Sequence, residues 1–342
     1  MAKMGSLFPE GLRPGEAQSK PAGEKRAPRA PISSLAPGQE VESVYLVQEA
    51  TLRVARNGGR YIQAVIADRT GRLPARQWDA TEKDYEAYRA TGYVRVRARV
   101  ETYQDRPQLV VQAVQAQDAK EVAAAEFLPV SRRDPAEMRA ELDAVVAGLQ
   151  DPDYRRLAEA LFAPGELRTA FERSPAASSI HHAWLGGLME HVLSACRTAQ
   201  SVAEQRPFLN RDLLMTGVLL HDLGKTQELS SEAGFGYTDA GRLLGHVALG
   251  AILADRAIAG LPDFPPKKRD LILHLILSHH GTREFGSPVT PCTAEAVALH
   301  HLECLDAKVA GIQSVIEWEQ ENGNTGAWSD FARVVDGRIF LG

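Results

Sequence analysis

All ten histidines of this 342-residue chain fall between His181 and His301, and the first 180 residues hold none. Imidazoles gathered near carboxylates are what a divalent metal site requires. The second half of the chain is therefore expected to fold so that histidines distant in sequence meet. The first half carries no such demand. One histidine stands in the run His221-Asp222-Leu223-Gly224-Lys225, at the end of the apolar stretch 213–220. That run sets two metal-binding side chains and a lysine at one helix end, which points to metal-dependent phosphate chemistry.

The chain is long enough for two domains. Its 44% hydrophobic and 24% charged residues are ordinary for a globular protein. The longest apolar runs, such as 271–277, are too short to span a bilayer, and the N-terminus lacks an apolar signal-peptide core. No membrane partner is expected. Cys196, Cys292 and Cys304 show no pairing pattern, which suits a reduced, cytoplasmic protein. The net charge of −5 divides unevenly: +3 over residues 1–31, +2 over 32–120 and −10 over the remainder. An acidic half suits cation binding, and the less acidic half tolerates a polyanion.

Residues 1–31, rich in Pro, Gly, Lys and Arg, are expected to form a disordered tail. Residues 32–120 read as a small β domain. Strand patterns cover 41–47, 61–67 and 73–78, a helical pattern covers 80–90, and strands follow at 93–100 and 109–114. The segment 93–100 alternates apolar and basic residues, the period of a half-buried strand. Three strands, a helix and two strands predict an OB-fold β-barrel. Residues 121–180 read as a helical connector, with helices at 135–149 and 153–162. Residues 181–320 read as an all-α bundle, with helices at 182–205, 211–223, 243–259, 268–280 and 293–320. Residues 321–342 remain as a C-terminal extension. The fold class is thus multidomain, an OB-fold barrel followed by a helical bundle.

Candidate metal ligands recur along the bundle: His191, His221 with Asp222, His246, His279-His280 and Asp306. Each falls on a different expected helix or helix end, so they can converge in the bundle core. Imidazole with carboxylate oxygen suits Mn²⁺, Fe²⁺, Zn²⁺ or a similar ion. Adjacent residues on a helix point about 100° apart; His279 is favoured as a ligand and His280 kept as a candidate. His274, among Leu and Ile, reads as a core or interface residue, and His300 and His301 as structural. The three cysteines read as packing residues. His181 and His182 either contact a substrate phosphate or cap local structure. Lys225 is either a solvated helix-end lysine or a phosphate contact. In the barrel, Tyr45, Tyr61, Trp78, Tyr93 and Tyr103 could stack on bases, with Arg95, Arg97 and Arg99 steering a backbone. Taken singly, each aromatic is better read as core. Tyr61, Trp78, Arg95 and Arg97 are the substrate-facing candidates.

The order His191, His221-Asp222, Asp306 resembles the HD-domain superfamily of metal-dependent phosphohydrolases. The resemblance implies that these four hold one metal. It further implies that His246 and one of His279 and His280 serve a second, with Asp222 bridging and Lys225 contacting phosphate. The barrel, the run His181-His182-Ala183-Trp184-Leu185-Gly186-Gly187-Leu188-Met189-Glu190-His191, the segments Tyr61-Ile62-Gln63 and Arg76-Gln77-Trp78-Asp79, and the ending 302–308 are together similar to the YhaM-type 3′–5′ exoribonucleases. That likeness spans about residues 35–340 and leaves the N-terminal tail outside. It implies Asp222 and Lys225 as catalytic residues and two divalent ions, Mn²⁺ first, with Fe²⁺, Co²⁺ or Mg²⁺ open. It implies single-stranded RNA as substrate, single-stranded DNA as a second, and nucleoside 5′-monophosphates as products. Two other readings stand beside it: a phosphohydrolase of free or cyclic nucleotides, which leaves the barrel unexplained, and a non-catalytic single-strand-binding protein. A homo-oligomer built on an apolar helix face is left open.

Overall fold

The computed structural model describes residues 30–55, 58–104, 106–177, 184–230, 234–321, 323–332 and 334–342. Nearly all of the expected N-terminal tail, and both His181 and His182, lie outside the described residues.

The first unit is built from β1 (Glu40–Val54), β2 (Arg60–Asp68), β3 (Gly71–Trp78), α1 (Glu82–Ala90), β4 (Tyr93–Tyr103) and β5 (Arg106–Ala116). The strands close into a barrel in the order β1-β2-β3-β5-β4. Antiparallel pairing of β1 with β4 completes the ring, and β3 meets β5 in parallel at Ala75–Leu109. This is the expected OB arrangement. The alternation along β4 explains its place: Val94, Val96, Ala98 and Val100 fill the barrel beside Tyr45, Ile62, Ile66 and Leu109. β1 is long enough to serve two neighbours, and an irregularity at Val47/Glu49 marks where it bends along β2. Thr81 and Asp84 form a reciprocal cap at the start of α1, which carries Tyr88 into the core.

The helical unit contains α2 (Pro135–Ala147), α3 (Pro152–Leu161), α4 (Glu166–Arg173), α5 (Gly187–Gln205), α6 (Arg211–Leu220) and α7 (Lys225–Glu228). A two-residue hairpin follows, β6 (Leu229–Ser230) with β7 (Gly236–Tyr237). Then come α8 (Asp239–Ala259), α9 (Pro266–Ser278) and α10 (Ala294–Glu321). Asp134 and Asp151 cap α2 and α3 ahead of a proline in the first turn, which sets both starts. Met138, Leu142, Leu157 and Phe171 share one core with Leu188, Val192, Leu219, Leu275 and Leu299, so α2–α4 pack as part of the bundle. A smaller cluster of Leu46, Tyr93, Phe127, Leu128 and Leu185 joins barrel to bundle. The chain ends in a hairpin of β8 (Trp328–Ala332) and β9 (Gly337–Phe340). Among the described residues, no helix is long and apolar enough to cross a membrane.

Candidate metal centre

Two close helix approaches bring the histidines together. At Gly217 of α6, a Cβ would collide with Leu275 of α9. At Gly224, a Cβ would collide with the carbonyl oxygen of His246 and the amide nitrogen of Gly250. Only glycine lets the turn after α6 lie directly on the α8 backbone, and that turn carries His221 and Asp222. α8 is broken at Gly245 (φ 73°, ψ 155°), which redirects the chain just before His246. The sequence reading began this helix at 243; the structure starts it at Asp239, where the Thr238 side chain accepts from Gly241 N.

Five imidazoles point one nitrogen into a common space because the other is already engaged. His221 Nδ1 donates to the Val218 carbonyl (2.8 Å), His279 Nδ1 to Ile276 (2.6 Å) and His280 Nδ1 to Phe285 (2.7 Å). His191 Nδ1 lies 2.7 Å from Asp306 Oδ2, and His246 Nδ1 lies 3.0 Å from Glu228 Oε2. A carbonyl or carboxylate oxygen behind Nδ1 fixes the tautomer and turns Nε2 toward the shared space, where its lone pair can bind a cation.

Asp222, 1% exposed, stands between two sets of these nitrogens. Its Oδ2 is 3.5 Å from both His191 Nε2 and His221 Nε2. Its Oδ1 is 3.5 Å from His246 Nε2 and 3.8 Å from His279 Nε2. His246 Nε2 and His280 Nε2 approach to 3.2 Å. Lys225 Nζ lies 2.6 Å from Oδ2 as an ion pair. Asp222 Oδ1 accepts no hydrogen bond, and His279 Nε2 has no partner. Buried polar atoms left this way are costly unless a ligand satisfies them. Converging neutral imidazoles around a carboxylate fit a divalent cation, and the donors fall into two groups: His191, His221 and Asp222, and His246, His279 and His280.

The electrostatics agree. Burial pushes His221 down to about 4 and holds His279 well below its ordinary value, with His280 also lowered. Burial alone would raise the Asp222 carboxyl, but Lys225 and the imidazoles of His221, His246 and His191 outweigh it and hold it well below the usual range. Neutral imidazole and ionised carboxylate are the states a metal needs.

The structure therefore gathers His191, His221, Asp222, Lys225, His246, His279 and His280. Asp306, expected as a further ligand, stands directly beside His191. Its Oδ2 sits behind His191, and its Oδ1 accepts from Ser194 Oγ at 2.6 Å, because α10 faces the His191–Ser194 side of α5. Glu228 and His300 are additions. His300 Nδ1 donates to the His279 carbonyl (3.0 Å), securing the end of α9 where the two adjacent histidines diverge. Glu303 is raised by burial and by the charge of Asp222. Glu303 lies three residues from both His300 and Asp306, a neighbour of each along α10. His274 accepts from Cys292 N and plays the structural part expected of it.

Replacing Glu228 by glutamine should lower Mn²⁺ affinity by roughly 10- to 100-fold, since a carboxylate behind a ligating imidazole raises its basicity. Calorimetric titration of the metal-free protein checks this, and unchanged affinity would remove Glu228 from the centre.

On the barrel, Tyr61 and Trp78 are neighbours at the open end of the β2–β3 hairpin, ring centroids 5.2 Å apart. The Arg76 guanidinium lies 5.7, 5.1 and 5.4 Å from the rings of Tyr61, Trp78 and Tyr103. Tyr45 is buried in the barrel core, and Tyr93 in the cluster that joins barrel to bundle. Arg95 and Arg97 do not join this cluster. β4 lies between β1 and β5, where Arg97 faces Glu42 and Arg99 faces Glu40, while Arg95 reaches Gln117. Strand pairing sets Arg97 and Arg99 beside acidic neighbours, and Arg95 opposite Val44. Arg76 joins the aromatic cluster, which sequence reasoning missed.

The HD domain family model matches residues 188–308. The 3′–5′ exoribonuclease YhaM of Geobacillus sp. (strain WCH70) is 32% identical over 281 residues, 82% of this chain and 86% of the relative. YhaM of Bacillus subtilis (strain 168) is 33% identical over 281 residues, 82% and 88% of the two chains. YhaM of Listeria innocua serovar 6a is 32% identical over 304 residues, 89% and 95%. The HD match carries an expectation of divalent-metal dependence that the histidine and aspartate clusters can meet.

Proposed function

This chain belongs to the YhaM family of 3′–5′ exoribonucleases, and from that premise we infer that it is a metal-dependent hydrolase shortening single-stranded RNA from its 3′ end. Single-stranded DNA is a secondary substrate in this reading, and nucleoside 5′-monophosphates are the products. The observation that carries it is Asp222, buried and ionised between two groups of imidazoles, with Oδ1 accepting no hydrogen bond.

His191, His221, His246, His279 and His280 would supply nitrogen donors, and Asp222 and Asp306 carboxylate oxygens. Two divalent ions, Mn²⁺ first, would polarise a phosphoryl oxygen and activate water for in-line attack. Glu228 orients the imidazole in front of it. Lys225, at 2.6 Å from Asp222, is close enough to the centre to neutralise charge growing on the phosphate. No protein nucleophile is required. The barrel, about residues 32–120, would hold the strand and deliver its 3′ end to the bundle. Leu305 and Val309 on α10 are more than half exposed and offer a face for a second copy of the chain.

Oligoribonucleotides and mononucleotides offered separately with Mn²⁺ test the substrate class. Hydrolysis of the oligonucleotides alone is expected. Hydrolysis confined to nucleoside triphosphates or cyclic nucleotides would replace this reading with that of a nucleotide phosphohydrolase. For the barrel, Trp78→Ala should weaken RNA binding by about 5- to 100-fold, the worth of one stacked base, with kcat nearly unchanged. Fluorescence anisotropy with labelled RNA checks it; undiminished affinity would place strand binding elsewhere.

A further inference from the structure

Two exposed segments border the metal centre, one tied to His280 and the other to the carboxylate behind His246. The first is the turn Arg283–Phe285. The Phe285 carbonyl accepts from His280 Nδ1, which ties the residue to the centre, yet Phe285 is 70% exposed. The second runs from Tyr237 to the break at Gly245, just before His246. It is held against Glu228, the carboxylate behind His246: Thr238 N donates to the Glu228 carbonyl at 2.9 Å, and a Cβ on Gly241 would collide with that oxygen. This segment carries Tyr237 and Leu243, both exposed, and the Arg242 guanidinium lies 5.8 Å from the Tyr237 ring centre. Arg283 is exposed beside Phe285.

Large apolar side chains left in water at the edge of a buried polar site mark a surface that another molecule covers. Here each exposed ring has an arginine beside it. That combination recognises a nucleic-acid strand, rings stacking on bases and guanidinium groups meeting phosphates.

We propose that Phe285 with Arg283, and Tyr237 with Arg242 and Leu243, form the subsite that grips the 3′-terminal nucleotides of the substrate strand, holding their bases while the scissile phosphate lies at the metal centre. The proposal rests on the exonuclease reading and deepens it: bases at the 3′ end, and not the phosphate backbone alone, determine productive binding. The subsite is distinct from the barrel cluster of Tyr61, Trp78 and Arg76, which would hold the strand further from its end.

The test pairs two 5′-labelled RNAs, one intact and one with its two 3′-terminal nucleotides abasic, with the native protein, Phe285→Ala and Tyr237→Ala. Both side chains are exposed, and circular dichroism verifies that the variants fold. The native protein should prefer the intact end by about 10- to 100-fold in kcat/KM, from the stacking of one or two bases. Each variant should lose activity on intact RNA and much less on abasic RNA, so that the preference shrinks. Equal losses on both RNAs would reveal a structural effect and overturn the subsite. A preference unchanged in both variants would overturn it too, while leaving the exonuclease standing. If the native protein shortens neither RNA, the exonuclease reading itself falls, and the subsite with it.

Discussion

Asp222→Ala should abolish hydrolysis, lowering kcat on the order of 10³-fold or more, while leaving RNA binding to the barrel largely intact. The size of the effect follows from position. Asp222 alone offers one oxygen to the His191–His221 pair and the other to the His246–His279 pair. Glu228 cannot stand in, because it is engaged behind His246. Removing the carboxylate also strips Lys225 of its ion-pair partner in a nearly buried setting, which carries a stability cost of its own. Asp222→Asn keeps the side-chain volume and removes only the charge, so the two variants together separate lost charge from lost packing. Both should lose turnover and Mn²⁺ affinity in parallel, read by steady-state hydrolysis and calorimetric titration, with anisotropy reporting RNA binding. Full turnover by either variant, after chelation and reloading with metal, would contradict the role given to Asp222.

The metal-free protein should lose stability as the pH falls from about 6.5 towards 4. His221 is fully buried, and burial pushes it from an ordinary 6.5 down to about 4. Within that window the unfolded chain takes up a proton that the folded chain refuses, so acidification favours unfolding. The stability is fully present above the unfolded value and is lost as the pH drops. A shift of this size corresponds to about 3 kcal/mol for His221 alone. His279 and His280 are lowered as well and act with the same sign. Asp222 is depressed, so its contribution is lost only below the ordinary carboxylate value of 3.8, outside this window. Urea denaturation in chelator at pH 7, 6, 5 and 4.5 should give steadily falling midpoints. A stability constant across that range would mean that the imidazoles are not held neutral.

The barrel was legible because its strands announce themselves at period two. In β4 the inward Val94, Val96, Ala98 and Val100 alternate with arginines, and the order of elements then leaves few ways to close the sheet. Alternation gives a face, however, and says nothing of the neighbouring strand, so the meeting of Arg76 with Tyr61, Trp78 and Tyr103 is not legible in the sequence. The metal residues were legible from residue type: histidine is rare enough that its confinement to one half carries information. What lies behind each imidazole was not. Whether Nδ1 of His191 meets Asp306 depends on how α5 lies against α10, and whether that of His246 meets Glu228 depends on the close approaches at Gly224 and Gly241. The break at Gly245 leaves no periodic trace, since the apolar pattern continues through it. α4 escaped notice because eight residues with apolar positions only at Leu167, Ala170 and Phe171 are too short to establish a helical period. The hairpin of β8 and β9 escaped because its strands are only five and four residues long.

The central claim is tested most directly by a denaturing-gel time course of the purified protein with 5′-labelled single-stranded RNA in Mn²⁺, run beside the Asp222→Ala variant. A ladder of labelled fragments shortening stepwise from the 3′ end, absent with the variant, is the expected result. Full-length RNA persisting with the native protein, or a labelled mononucleotide appearing at once from the 5′ end, would contradict it.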